Sequence, residues 1–225
     1  SVLFIPGLTI LMVDTRTAFF YPLFFIPVFA YFNKTENPKL LYLIPGITLF
    51  GNFMILLGLF VVSQVSELSV LERAPGDFET GNARALIWFI SSVEFMSFDW
   101  IHLLGYGEFG HFASGASFKW AHIFNSWEHP ELTSPHSTFY MILFDYGYLG
   151  LLIVILIQFN IIYSIKKHWN NHKHVCILII SFLIYWNMIG MTESFFGIYT
   201  TKIMILFCLL SFITCQFKSL NKYNV

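Results

Sequence analysis

From Leu40 to Val65 the chain carries no charged residue at all. A helix over that run is about 39 Å long at about 1.5 Å per residue, more than the hydrocarbon core of a bilayer, which is about 30 Å thick. A soluble helix needs a polar face, and this run has none. The run His136–Ile165 is built the same way, with Asp145 as its one charged residue. Val175–Met191 and Phe195–Phe217 read as a tight hairpin around Thr192-Glu193-Ser194. Thr17–Phe32 is a shorter run, and 1–13 is a stub too short to cross. The expected fold class is therefore an all-α integral membrane protein with six transmembrane helices, the first one truncated. Residues 1–225 read as a single membrane domain, the C-terminal part of a longer membrane protein.

Composition narrows the function. Charged residues make up 11% of the chain and hydrophobic ones 56%, where a soluble domain is about 25% charged. Disorder, nucleic-acid binding by bulk charge and a disulfide-stapled secreted domain are excluded. Cys176, Cys208 and Cys215 sit in apolar runs without metal-site spacing and act as small apolar residues.

Charge then sets the orientation. Lys34 and Lys39, then Lys166, Lys167 and Lys173, then Lys218 and Lys222 fall on one side by alternation along the helices. The positive-inside rule makes that side cytoplasmic. The segment 66–135 faces outward, with nine acids against three bases. Within this large extracytoplasmic segment Asn82–Ser97 predicts a helix. Asn82 is its N-cap, and Leu86, Ile87, Ile90 and Val93 recur at helical spacing. Trp88, Trp100, Trp120 and Trp127 suit a membrane–water boundary. Gly105-Tyr106-Gly107 marks a turn, and the remainder reads as short helices and loops.

Three helices are expected to start on that outward face, each with a basic or titratable residue in its first turn. Arg16 follows the cap pair Asp14-Thr15, Arg84 follows Asn82, and His136 follows Ser134-Pro135. A helix N-terminus offers free N–H groups and about half a positive charge, which suits phosphate. Arginine adds a planar fork for phosphate oxygens. A neighbouring helix start is also expected to push the His136 pKa down and keep the ring neutral, able to accept a proton. Two arginines for a diphosphate and a neutral histidine for a hydroxyl describe a transferase site.

The same residues resemble the signature of the bacterial O-antigen ligase and O-antigen polymerase superfamily. His136-Ser137, Gly147 and Gly150, ahead of a long apolar run, resemble its histidine–glycine element. Asp14-Thr15-Arg16-Thr17 is similar to its Ser-Arg-Thr helix start, and Asn82-Ala83-Arg84 with Trp88 to its Gly-Arg-x-x-x-Trp element. Gly105-Tyr106-Gly107 matches a Gly-x-Gly turn between them. Ser137 stands where asparagine is commoner, and Ala83 where glycine is commoner. On a helix of about 100° per residue, Gly147 falls about 20° from His136 and Gly150 about 40° to the other side. A neighbouring helix is therefore expected to pack close beneath the histidine. Tyr140 shares that face, and Asp145 points away.

The resemblance implies a C-type glycosyltransferase fold and metal-independent transfer of a glycan from undecaprenyl diphosphate, without a cofactor. His136 would be the general base, and Arg16 and Arg84 would hold the diphosphate. Trp88, Tyr140, Lys202 and Glu193 are candidates for a glycan or secondary site; Trp88 and Trp120 would stack on sugar rings. The implied partners are the lipid-linked glycan, an acceptor glycan, the bilayer and a chain-length regulator, and no nucleic acid. The implied location is the bacterial inner membrane, multi-pass, with the site facing the periplasm or exterior. The first expectation is an O-antigen or capsule-type polymerase; the second is a ligase delivering glycan to lipid A-core. A small-solute transporter built on Asp145, Glu193 and Lys202 is a third. A metal hydrolase built on the histidines at 102–136 ranks last, because no pair has helical zinc spacing.

Overall fold

The computed structural model describes residues 27, 29–36, 38–63, 84–125 and 127–194, and among these the chain is mostly helical, with no strand. A 3-10 turn at Lys39–Leu43 leads into α1, Ile44–Ser63. Then come α2, Arg84–Met96, and two single-turn helices, α3 at Ile101–Leu104 and α4 at Gly110–Ala113. Three 3-10 turns, Ser117–Lys119, Ala121–Phe124 and Pro130–Leu132, precede α5, Thr138–His168, and α6, Lys173–Thr192. Among the described residues α5 and α6 are long and apolar enough to cross a membrane. The expected runs 1–13 and 195–217, and most of 17–32, lie outside the described residues, as do Arg16, Asn82 and Lys202.

The three long helices α1, α5 and α6 pack on one another. Near the α5–α6 turn, Ile162, Ile165 and Trp169 meet Cys176, Ile177, Ile180 and Leu183, with Phe32, Leu41 and Ile44 closing the cluster. A second cluster joins Ile87, Trp88 and Phe95 of α2 to Tyr140, Ile142, Phe144 and Leu151 of α5, Trp186 of α6 and the loop residue Trp120. Polar side chains link the helices, with Gln158 and Asn187 buried and Thr48 half-buried. Gln158 Nε2 donates to Thr48 Oγ1 at 2.9 Å and to Asn187 Oδ1 at 3.3 Å, and the Thr48 hydroxyl donates to Asn187 Oδ1. Such bonds hold helices together where apolar burial against lipid gives no net drive.

α5 is not the single straight helix that its sequence predicts. Ser137 bonds Asn52 while Gln158 bonds Thr48, positions one helical turn apart on α1. On α6 the matching contacts are Gly190 against Thr138 and Asn187 against Gln158. A straight helix of about 20 residues would put those partners about 30 Å apart, and one turn is about 5.4 Å. The chain must therefore turn between them, and it does so at Gly147, whose φ of 66° and ψ of −165° are not helical. That backbone region is essentially reserved for glycine. The break frees carbonyls that a neighbouring turn takes up. Tyr106 N–H donates to Phe144 O at 2.7 Å and Gly107 N–H to Asp145 O at 3.1 Å. A Cβ at position 147 would meet the His102 carbonyl oxygen at 2.4 Å. Gly147 thus admits the 102–107 backbone rather than a helix beneath His136. The part from 148 to 168 is about 30 Å long, enough to cross by itself.

Candidate active site

His136 stands just before α5 rather than in its first turn. Ser137 is the N-cap, with no side-chain cap bond, and His136 is left-handed at φ 48°. Outside glycine this conformation is uncommon, with asparagine, aspartate and histidine its most frequent occupants. Support comes from both sides. Trp88 of α2 donates its indole N–H to Pro135 O at 2.9 Å, and Tyr140 OH lies 2.6 Å from Ser92 Oγ. From α6, Glu193 O accepts the Thr138 hydroxyl at 2.9 Å, and Ser194 Oγ donates to Ser134 Oγ at 3.2 Å.

Arg84 opens α2 and reaches the end of α6, where its Nη2 lies 3.2 Å from Glu193 Oε1. With the Arg84 side chain 25% and that of Glu193 40% exposed, this ion pair is in reach of solvent and contributes no more than about 1 kcal/mol. His136 is close enough to feel both charges. Burial pushes its pKa down first, Arg84 lowers it further and Glu193 opposes them. The expected direction is right, but the main cause is desolvation rather than a helix start. A neutral imidazole, a cation and a carboxylate thus share one end of the bundle.

Trp88 and Trp120, expected to stack on sugars, are both buried, at 1% and 0% exposure. Trp120 donates its indole N–H to Thr133 O at 3.2 Å. Both are core residues that hold up the 133–137 loop. Tyr140 is buried too, below the histidine. Asp145, the acid on which a transport route would depend, is buried with its Oδ1 accepting Gly110 N–H at 2.9 Å. It is a backbone anchor at the α5 break. Among the described residues no cluster of three His, Cys, Asp or Glu side chains could hold a metal ion.

Asn52 of α1 also belongs to this end of the bundle. Its Nδ2 donates to Met191 O at 2.9 Å and its Oδ1 accepts the Ser137 hydroxyl at 3.0 Å. One buried amide thereby ties the residue after His136 to the last turn of α6, two residues before Glu193. Nothing in the sequence distinguishes this asparagine from an ordinary polar residue in an apolar helix. Asn52→Leu, similar in size, takes the partner from the buried Ser137 hydroxyl, and the expected cost is about 1–3 kcal/mol. Denaturant unfolding in micelles measures it; an unchanged midpoint refutes the tie.

An apolar groove of about 510 Å³ runs along the bundle from Tyr31, Phe32 and Leu43, toward the α5–α6 turn, past Ile184 to Met191 in the last turn of α6. Comparisons with protein-family models, curated proteins and solved structures give no match.

Proposed function

We propose that the chain is part of a membrane glycosyltransferase that polymerises lipid-diphosphate-linked oligosaccharide repeat units, of the O-antigen or capsule polymerase kind. The observation that carries this reading is the meeting of Arg84, Glu193 and neutral His136 at one end of an apolar bundle. The acceptor hydroxyl gives its proton to His136 as its oxygen bonds to the anomeric carbon of the donor sugar. The bond from that carbon to the diphosphate oxygen breaks, and Arg84 takes the charge that develops on the leaving group. Until an anion arrives, Glu193 holds the guanidinium. The apolar groove reaching Met191 suits a lipid tail entering from the bilayer. In this reading the protein is multi-pass in the bacterial inner membrane with the site facing the periplasm, and Arg16 joins Arg84 on the diphosphate.

Arg84→Ala is expected to lower transfer about 100-fold or more, the size of effect seen when one transition-state charge partner is lost, while the protein still inserts. Lipid-linked repeat units assayed with purified protein give the measurement, and full activity removes Arg84 from the site. Deletion in a producing cell separates the related readings. Surface glycan of one repeat indicates a lost polymerase, whereas full-length chains held on the carrier indicate a lost ligase.

A further inference from the structure

The helix α2 is apolar on the face that points away from the protein. Leu86, Phe89, Val93 and Met96 fall within about 80° of one another around the helix, and Phe89 is 63% and Met96 83% exposed. Trp100 and Leu104 extend the ridge at 77% and 71% exposure. The charged residues of α2 lie elsewhere. Arg84 turns to Glu193, and Glu94 pairs with Lys119 at 3.1 Å.

The polar groups of α2 are satisfied internally. Ser91 donates its hydroxyl to Ile87 O at 2.7 Å and Ser92 to Trp88 O at 2.8 Å. A water-facing helix carries its polar groups outward, whereas hydrocarbon requires them to be paired within the protein. The helix has 13 residues, about 20 Å, which is too short to cross a core of about 30 Å. It runs beside the first half of α5, from Trp88 at Pro135 through Ser92 at Tyr140 to the Phe95 carbonyl, which accepts the Tyr148 hydroxyl at 2.7 Å. The turn at 105–107, after α3, is sealed, with the Tyr106 and Gly107 amides on the Phe144 and Asp145 carbonyls, while 97–100 between α2 and α3 is exposed.

We infer that α2 and the ridge through Leu104 lie in the lipid of the leaflet on the His136 side, as a half-inserted hairpin held by α5. The occupant is lipid because the ridge runs beside the outer part of the spanning stretch 148–168: Trp88 meets Pro135, next to the Ser137–Asn52 bond one turn from Thr48–Gln158, and Phe95 meets Tyr148. This refines the expectation that 66–135 faces outward with its tryptophans at the membrane–water boundary: the apolar face of 84–104 is membrane-embedded, with the exposed Asp99 at its interfacial end. It is independent of the transferase reading, because it concerns what α2 touches and not what the site does.

The test uses the full chain in vesicles of phosphatidylethanolamine and phosphatidylglycerol, doped with a phospholipid carrying a diazirine along its acyl chain. Adducts are mapped by peptide mass spectrometry, with Ile153 and Leu156, exposed on the spanning part of α5, as the internal positive control. Labelling of 86–104 comparable to that control, and on the order of ten times that of 117–132, is expected for an inserted ridge. Labelling of the control with 86–104 blank overturns the proposal. So does loss of 86–104 labelling together with crosslinks between copies at Met96, the result for a protein–protein interface.

Discussion

Replacing His136 with alanine is expected to slow the proposed glycan transfer by about 10²–10⁴-fold, the usual contribution of a positioned general base. The protein should remain folded, because the loop is held by the Pro135 carbonyl, the Ser137 hydroxyl and the Thr138 hydroxyl, none of which belongs to the imidazole. The pH dependence makes the test sharper. Burial and Arg84 hold the His136 pKa below the ordinary histidine value, which is about 6.5. A base works in its neutral form, so the proposed transfer is expected to be flat at neutrality and to fall only as pH drops through that lowered pKa. Glu193 favours the protonated ring, so Glu193→Gln should move the acid limb to still lower pH. Initial rates across the acid range supply the measurement. A limb that ignores Glu193→Gln, or a His136→Ala protein as active as wild type, ends the assignment of His136 as the base.

Gly147→Ala is the second large effect, and it acts on folding. A side chain there enters a backbone region that costs about 1–3 kcal/mol, and its Cβ meets backbone atoms of 102–105 at 2.4 to 2.6 Å. Backbone cannot move aside as a flexible side chain would. The turn at 105–107 must separate from α5, which strands the Phe144 and Asp145 carbonyls. The expected loss is several kcal/mol, on the scale of the total stability of a domain, read as failure to recover folded protein from the membrane. Gly107→Ala separates the two causes. Gly107 also has positive φ, 83°, but open space around it, so only about 1–2 kcal/mol of conformational strain is expected. Equal losses at 107 and 147 would show that the close approach at Gly147 does not matter.

Much of the frame was legible in the order of residues. The period of Leu86, Ile87, Ile90 and Val93 predicts a helix over Asn82–Ser97, and the observed one is Arg84–Met96. The run Val175–Met191 falls within α6, and Thr192-Glu193-Ser194 marks its end. Arg84 and His136 were recognisable from their places beside helix starts, and the structure sets them in mutual electrostatic range. On a straight helix Gly147 and Gly150 share a face with His136, but His136 precedes the helix and Gly147 breaks it. Trp88 looked like a sugar platform because aromatics at a membrane boundary are common there, and only the packing of α2 on α5 reveals it as buried.

Local interactions decide what a sequence can state by itself. Runs without charge fix which segments are apolar helices, since the cost of exposing backbone or charge to hydrocarbon is paid residue by residue. Which polar atoms meet is a matter of distant chain segments. Asn52 joins residues 85 and 139 positions away, and Glu193 finds Arg84 across 109. The tertiary structure alone chose those partners, because a buried polar group accepts whichever complement the folded chain brings within about 3 Å.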